Sequence, residues 1–590
     1  MQPLDVNALF SRAEQAFLAG RIEEARADLV RVQRVSGPHP AILHLLAMVE
    51  AKSGAAAAAR AAFEGALRLA PRDPQLLNNF ANFLAAAGEA EAALAHYQRA
   101  LAAAPSFEDA RYNCALLLQK LGRLDEALAE LDRVAGARPG DARILSARGS
   151  VLVALGRLAE AAEAYDAALA ADPDRATAAA GRARVAMERG EEEAPALYRR
   201  ALTLRPGDPE LLLGLAEAME AEGDPRAVTT LAAAVGARPS WAGGQKALAR
   251  MRWEAGEGRA FTRDLEAALA AAPGDRALWL AFASALAEAD LSAEAADAAA
   301  RARLAVGDDP SLVLLEAIRA SEAGQIERAD RLFATLPDGT SGRSNLEARH
   351  RLRTGDYPRA ASLLDHAREE QPWDVGTWAL TGLVWRLAGD PRGDWLLGQS
   401  GLVEACSLPF DADALAATAA RLRSLHRTRA HPIGQSLRGG TQTRGRLFER
   451  GEPEIGALEQ AIERAIGDYW DLLPPVDAAH PLLRHRDRRP FLKGSWSVRL
   501  TDGGFHTSHF HPEGVLSSAC YFVVPEPRAP MEGWLELGGP PGGLDVPVEP
   551  LHRIEPAPGR MALFPSYLFH GTRPFASGER LTVAFDVAAR

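Results

Sequence analysis

"QLLNNFANFLAAAGEAEAALAHYQRALAAAPSFE" (75–108) runs without a gap into "DARYNCALLLQKLGRLDEALAELDRVAGARPGDA" (109–142), and the two are copies of one 34-residue pattern. The segments 41–74 and 143–176 carry it too. Gly54, Gly88, Gly122, Gly156 and Gly190 recur 34 residues apart, and Pro71, Pro105, Pro139 and Pro173 do the same. Within each copy, apolar residues fall at i, i+3, i+4 and i+7 in two runs, which predicts two amphipathic helices. Glycine closes the first helix because it adopts the left-handed backbone of a tight turn. Proline closes the second because it lacks an N–H and fixes φ. The unit is a helical hairpin, and stacked hairpins make an α-helical solenoid.

Further along the register loosens: Gly223 and Gly256 lie 33 apart, Asp290 takes the next turn position, and Gly324, Gly355 and Gly389 mark irregular units. About twelve repeats are expected over residues 1–403. These units resemble the tetratricopeptide repeat, with small residues where the paired helices approach, as in "LGRLDEALAELDRVAGARPGD" (121–141). The resemblance implies a long concave surface that binds a peptide or a protein partner, with no catalysis on the array itself.

Composition narrows the classes further. Apolar residues make up 47% and charged residues 25%, as in ordinary folded proteins, and the formal net charge is −11. An acidic chain is not built to wrap a phosphate backbone, so no nucleic-acid partner is expected. The patch "RHRDRR" (484–489) reads as solvated surface. Cys114, Cys406 and Cys520 stand far apart with no CxxC pair, which predicts neither a disulfide framework nor a thiolate zinc site. The start "MQPLDVNALFSRAEQAF" (1–17) lacks a basic head followed by an apolar run, and no stretch reaches eighteen apolar residues. A cytoplasmic protein without a membrane span is the expectation.

After residue 403 the pattern changes. "DADALAATAARLRSLHRTRA" (411–430) and "EPEIGALEQAIERAIGDYWDLL" (452–473) read as helices, with "SLRGGTQTRG" (436–445) as a glycine-rich turn between them. From Gly494 onward the chain alternates with period 2 in short runs: "SWSVRLT", "FHTSHFH", "LSSACYFVVP", "GWLELG", "RMALFPS" and "ERLTVAFDVA". Residues 404–590 are therefore expected to form a second domain, with helices in 404–490 and an all-β double-stranded β-helix, or jelly roll, in 491–590.

The chemistry concentrates in "HTSHFHPEG" (506–514), in a chain with fourteen histidines among 590 residues. His509 and His511, two apart on a strand, project to one face, and His506, at odd spacing, is expected to face the other way. Two imidazoles with one orientation suit a divalent cation. In "GRMALFPSYLFHGTRPF" (559–575) a strand and a turn deliver His570, which a jelly roll can carry across the barrel mouth to the pair. His552 has no such setting and reads as surface. Arg580 and Thr582 share a face in "RLTVAFDV" (580–587), and a guanidinium in so apolar a strand calls for an anion, which a bound carboxylate supplies bidentately.

The order HxH, distal His, then Arg ten residues on resembles the non-haem Fe(II)- and 2-oxoglutarate-dependent oxygenases of jelly-roll fold. More narrowly, "SLRGGTQTRGRLF", "GSWSVRL", "GGFHTSHFHPEG", "GWLELG", "LFPSYLFHGTRPF" and "ERLTVAFDV" together resemble the oxygenase domain that follows tetratricopeptide repeats in many bacterial proteins. The resemblance implies that His509, His511 and His570 bind Fe(II). Arg580, helped by Thr582, would bind the distal carboxylate of 2-oxoglutarate. It further implies that O2 oxidises a substrate C–H bond as 2-oxoglutarate goes to succinate and carbon dioxide. One departure stands out: the common facial set is two histidines and a carboxylate, and here His511 occupies the carboxylate position. An alternative set, His511, Glu513 and His570, restores a carboxylate, but Pro512 interrupts the ladder and Glu513 adjoins a glycine turn. A repeat array joined to a hydroxylase suggests a protein or peptide side chain as substrate. Two other readings stay open: a non-catalytic repeat scaffold with a degenerate jelly roll, and a metal-dependent jelly-roll enzyme without 2-oxoglutarate, against which the Arg580 and Thr582 pair argues.

Overall fold

The computed structural model describes residues 5–427 and 433–590, which separate into two compact units, Met1–Val185 and Ala186–Arg590. Among the described residues, twenty-four α-helices precede the first strand, the number that twelve two-helix units require. A representative hairpin pairs Pro74–Ala86 with Ala90–Ala103. Asp73 caps the first helix by accepting from the Leu76 N–H at 3.0 Å, and Gly88 turns the chain at φ 84°. Asp290 fills the same turn position at φ 59°, a backbone that Asn and Asp tolerate better than other side-chain-bearing residues. Close helix approach explains the small residues: a Cβ on Gly181 would lie 2.3 Å from the Tyr165 ring. In the later repeats the helices shorten, and one hairpin opens with a 3-10 turn, Gly258–Thr262, before Arg263–Ala271.

The second unit contains the strands as well as the later repeats. Nine strands are formed: β1 (Glu404–Ser407), β2 (Leu437–Gln442), β3 (Pro490–His506), β4 (Leu516–Val523), β5 (Leu535–Leu537), β6 (His552–Ile554), β7 (Arg560–Pro565), β8 (His570–Thr572) and β9 (Arg580–Ala589). A six-stranded sheet of order β1-β7-β4-β9-β3-β2 faces a three-stranded one of order β6-β5-β8, with every pairing antiparallel. This is the jelly-roll arrangement, with helices Ala412–Leu425 and Pro453–Leu472 ahead of its main strands. The helix expected over 411–430 ends at Leu425, and its positions 428–430 lie outside the described residues.

Two local readings change. The glycine-rich segment 436–445 is not a turn but largely edge strand β2, because Gly440 lets it approach β3: a Cβ there would sit 2.2 Å from the Arg499 carbonyl oxygen. "FHTSHFH" is not one strand either. β3 ends at His506, and the chain beyond keeps a single bridge, His509 to His570.

Within this unit the later repeats and the jelly roll share one hydrophobic core, which runs from Leu364, Trp378 and Trp385 through Leu396 to Leu516, Phe564 and Phe585. Ionic contacts follow the 34-residue period. Glu220, Glu254, Glu288 and Glu322 lie 34 apart at the ends of the first helices of successive hairpins. Arg444 bridges Glu220 at 2.9 Å and Glu254 at 2.7 Å, the Gly434 N–H donates to the Glu288 carbonyl at 3.0 Å, and Arg438 pairs with Asp290. From the other side, Arg386 donates to the carbonyls of Gly538 and Glu549 in the loop between β5 and β6. Repeats 186–403 thus grip the chain's own C-terminal domain. No helix among the described residues is long and apolar enough to cross a membrane.

Candidate metal centre

His509 and His511 sit just past the end of β3, and His570 opens β8. The His509 and His570 backbones exchange two hydrogen bonds, 2.9 and 2.8 Å, which brings their rings to 4.2 Å between centroids. Phe510, between the two ligand candidates, points away into the repeats, packing on Phe569 and against Gly376 of the helix Val375–Ala388. That wedge aims its neighbours at the cavity. One nitrogen of each of the three imidazoles lies within 4.8 Å of the others, and this is the metal-competent cluster found among the described residues.

The hydrogen-bond partners assign the tautomers. Nδ1 of His509 faces the Thr507 carbonyl at 2.9 Å, Nδ1 of His570 faces the Leu568 carbonyl at 3.0 Å, and Nδ1 of His511 faces Asp586 Oδ1 at 2.5 Å. Each Nδ1 therefore carries the proton and leaves Nε2 as an acceptor, with the Ser436 hydroxyl 3.3 Å from that of His509. Nε2 of His509 and of His511 are 3.2 Å apart with no proton to share. Two nitrogens bound at right angles to one cation, each at about 2.1 Å, lie roughly 3.0 Å apart, so the pair fits a metal ion. Burial pushes the imidazolium form of His570 far down and that of His509 to about 3, which keeps both rings neutral and able to ligate.

The same cavity, about 530 Å³, holds Arg580 and Thr582, with Trp496, Val498 and Ser518 in its walls. Arg580 is 3% exposed, and no carboxylate among the described residues pairs with it. It donates to Thr572 Oγ1, lies over the Tyr521 ring at 5.1 Å, and keeps a buried Nε–H with no partner. A buried guanidinium with a free donor suits an incoming carboxylate. Thr582 Oγ1 is 3.5 Å from the Val498 carbonyl, a marginal contact that leaves its hydroxyl available to the cavity.

All five expected residues therefore line one space. Glu513 is set apart from the histidine cluster: it is mostly exposed and pairs with Lys493 at 3.2 Å. His506 differs from expectation, since the strand ends there and parity is lost. Its ring stacks on His509 at 5.8 Å and its Nδ1 meets Ser436 Oγ at 3.0 Å, inside the same cavity. Asp586 is the residue that reading the sequence overlooked. It shares the parity of Arg580, Thr582 and Ala584 along β9, and a carboxylate at that parity in an apolar strand was the available signal. His552 is exposed, and the three cysteines are free.

Residues 494–586 match the family described as "Putative 2OG-Fe(II) oxygenase". Residues 44–108, 84–151 and 146–209 match tetratricopeptide-repeat models. The chain thus joins tetratricopeptide repeats to a segment, 494–586, that is similar to the 2OG-Fe(II) oxygenases. Among solved structures it is similar to a tetratricopeptide repeat protein from Parabacteroides merdae (19% identity, 41% of this chain and 97% of that one, TM-score 0.33). It is also similar to the C-terminal part of a repeat protein from Cytophaga hutchinsonii (16% identity, 40% and 99%, TM-score 0.35), and to pilF of Pseudomonas aeruginosa (17% identity, 37% and 97%, TM-score 0.33). No curated protein matches the chain.

Proposed function

We propose that this protein is an Fe(II)- and 2-oxoglutarate-dependent dioxygenase that hydroxylates a protein or peptide side chain, with a repeat array over 1–403 and an oxygenase-like domain over 404–590. The observation that carries this reading is one cavity holding three convergent Nε2 lone pairs and a buried, acid-free guanidinium. His509, His511 and His570 would hold the metal, and Arg580 with Thr582 the distal carboxylate of 2-oxoglutarate. Once bound, metal and co-substrate supply the oxidation of a C–H bond by O2, at the expense of 2-oxoglutarate going to succinate and carbon dioxide.

The protein's own part is placement. The Thr507 and Leu568 carbonyls and Asp586 fix the three rings by holding their Nδ1 protons. Asp586 also addresses the missing carboxylate ligand: its negative charge stands one imidazole away from the metal position and makes His511 a stronger donor than a lone neutral ring. The Tyr521 face and Thr572 hold Arg580 in the cavity, where its guanidinium would receive the carboxylate.

Anaerobic addition of Fe(II) and 2-oxoglutarate to the full-length protein should produce the visible charge-transfer band of the chelate. His570→Ala should abolish it, and Arg580→Ala should demand far more 2-oxoglutarate to reach it. A wild-type protein without the band, or a band indifferent to both substitutions, refutes the proposal.

A further inference from the structure

Two smaller cavities also reach His509, each walled on one side by repeat helices. One, about 340 Å³, is bounded by Glu288, Asp290 and Arg319 of the repeats and by Ser436. The other, about 290 Å³, is a largely apolar slot between Leu346 and Leu380 of the repeats and Phe510 and Phe569 of the jelly roll, with Asn345, Arg349, Ser508 and His509 as polar groups in its lining. Ser508 Oγ is buried and has no partner among the described residues. Both cavities have His509 in their walls, so a chain that occupied the two would lie against the metal cluster.

Charge on this wall is unbalanced. Glu288 is matched by Lys246 at 2.6 Å and Asp290 by Arg438. Arg319, Arg349 and Arg353 have Glu322 as their shared acid: it lies 2.6 Å from Arg319 and 3.6 Å from Arg349, and it acts on Arg353 at longer range. Arg353 is spent on the Ser321 hydroxyl at 2.6 Å and the Gly543 carbonyl at 3.2 Å. The Nε–H groups of Arg319 and Arg349 are buried without a partner among the described residues. Asp374, bonded to Asn345 and Thr377, adds an acid at the edge of the slot, so the wall keeps one guanidinium charge in excess, a local reversal of sign in a chain of net charge −11. Guanidinium forks with spare donors select carboxylates.

We propose that the substrate is an acidic peptide, threaded between the jelly roll and the repeats, with a carboxylate beside the reacting side chain held by Arg349 and Arg319 and an aliphatic neighbour in the Leu346 and Phe510 slot. This rests on the oxygenase reading for what happens to the peptide, but not for its binding. It makes the repeats a wall of the active site as well as a tether, and Arg349 and Arg319 its specificity-determining residues.

Binding to the full-length protein is measured by fluorescence anisotropy with labelled nine-residue peptide pools. The pools are random except for Asp or Glu, or Lys, at two fixed positions. The acidic pool should bind at least about tenfold more tightly than the lysine pool at low salt, with the gap closing as salt rises. Arg349→Gln and Arg319→Gln should each weaken acidic binding, and Arg349→Glu should transfer the preference to the lysine pool, an inversion that loss of folding cannot produce. Equal binding of both pools overturns the proposal. So does a preference unchanged in Arg349→Glu and Arg319→Glu, which would put acidic binding elsewhere on the chain. Displacement of the peptide by free glutamate at equal carboxylate concentration overturns it in favour of a small acid. The charge-transfer band, recorded without peptide, judges the oxygenase reading by itself: no band together with a charge-inverted preference leaves an acidic-peptide binder that is not an oxygenase.

Discussion

Asp586→Asn isolates the feature on which a three-histidine site depends. The carboxylate sits 2.5 Å from His511 Nδ1 and is 13% exposed. Through the ring, its charge would lie roughly 6.5 Å from a metal held about 2.1 Å from Nε2, and at an effective dielectric of 20 a unit charge and a dication attract by about 5 kcal/mol at that range. Asparagine removes the charge but keeps an oxygen that can accept the Nδ1 proton, so most of the orientation survives. The expected loss is therefore the smaller one typical of a group behind a metal ligand, about 10- to 100-fold in Fe(II) affinity, or roughly 1.4–2.7 kcal/mol. Competition against a chromophoric chelator under anaerobic conditions measures it. Glu513→Gln, which loses only the exposed contact with Lys493, should leave affinity unchanged. If Asp586→Asn binds iron like the wild type while Glu513→Gln does not, the carboxylate has been assigned to the wrong residue and the HxE set is the true one.

Three further outcomes follow from the packing. Gly376→Val places a Cβ 2.9 Å from the Phe510 ring, forcing that wedge and both flanking histidines to shift, and iron affinity should fall by about tenfold or more. Retained affinity would show that Phe510 does not position them. Arg444→Ala strips Glu220 and Glu254 of one of two shared cations, Arg250 being the other, and urea unfolding should show a loss of about 0.5–1 kcal/mol, Arg444 being a third exposed. An unchanged midpoint would make the contact idle. Burial holds His426, bonded to Thr441 and Ser497, down at about 4, so the unfolded chain binds its proton first as pH falls. His426 should thus contribute a stability loss of about 1.6 kcal/mol between pH 6.5 and pH 5, beside those of His480 and His485, also held at about 4, and His426→Gln should remove that share of the slope. A slope untouched by the substitution sinks the assignment.

Much of the architecture was legible because it is periodic. Glycines at 34-residue spacing all turn with positive φ, and Asp290, read as a turn from its position alone, does likewise. The jelly roll was legible from short β-branched and aromatic runs between Gly and Pro turns, although β4 and β7 prove to be buried on both faces and only the second half of β9 alternates. Reading failed where a ladder stops or an edge is recruited. Strand parity turns His506 to the other face, but the strand ends at that residue and the ring joins the cavity. The 436–445 segment looked like a turn because its glycines, which in fact admit a close neighbouring strand, are also turn residues.

The sequence by itself determined the two repeating patterns and the identities of the five cavity residues, since periodicity and residue chemistry are local properties of the chain. Tertiary structure alone decided that Asp586 stands behind His511, that Glu513 turns to Lys493, and that helices more than a hundred residues before His509 wall the site. Those relations join positions far apart along the chain and depend on how two hydrophobic surfaces share one core, which no pattern in either segment encodes.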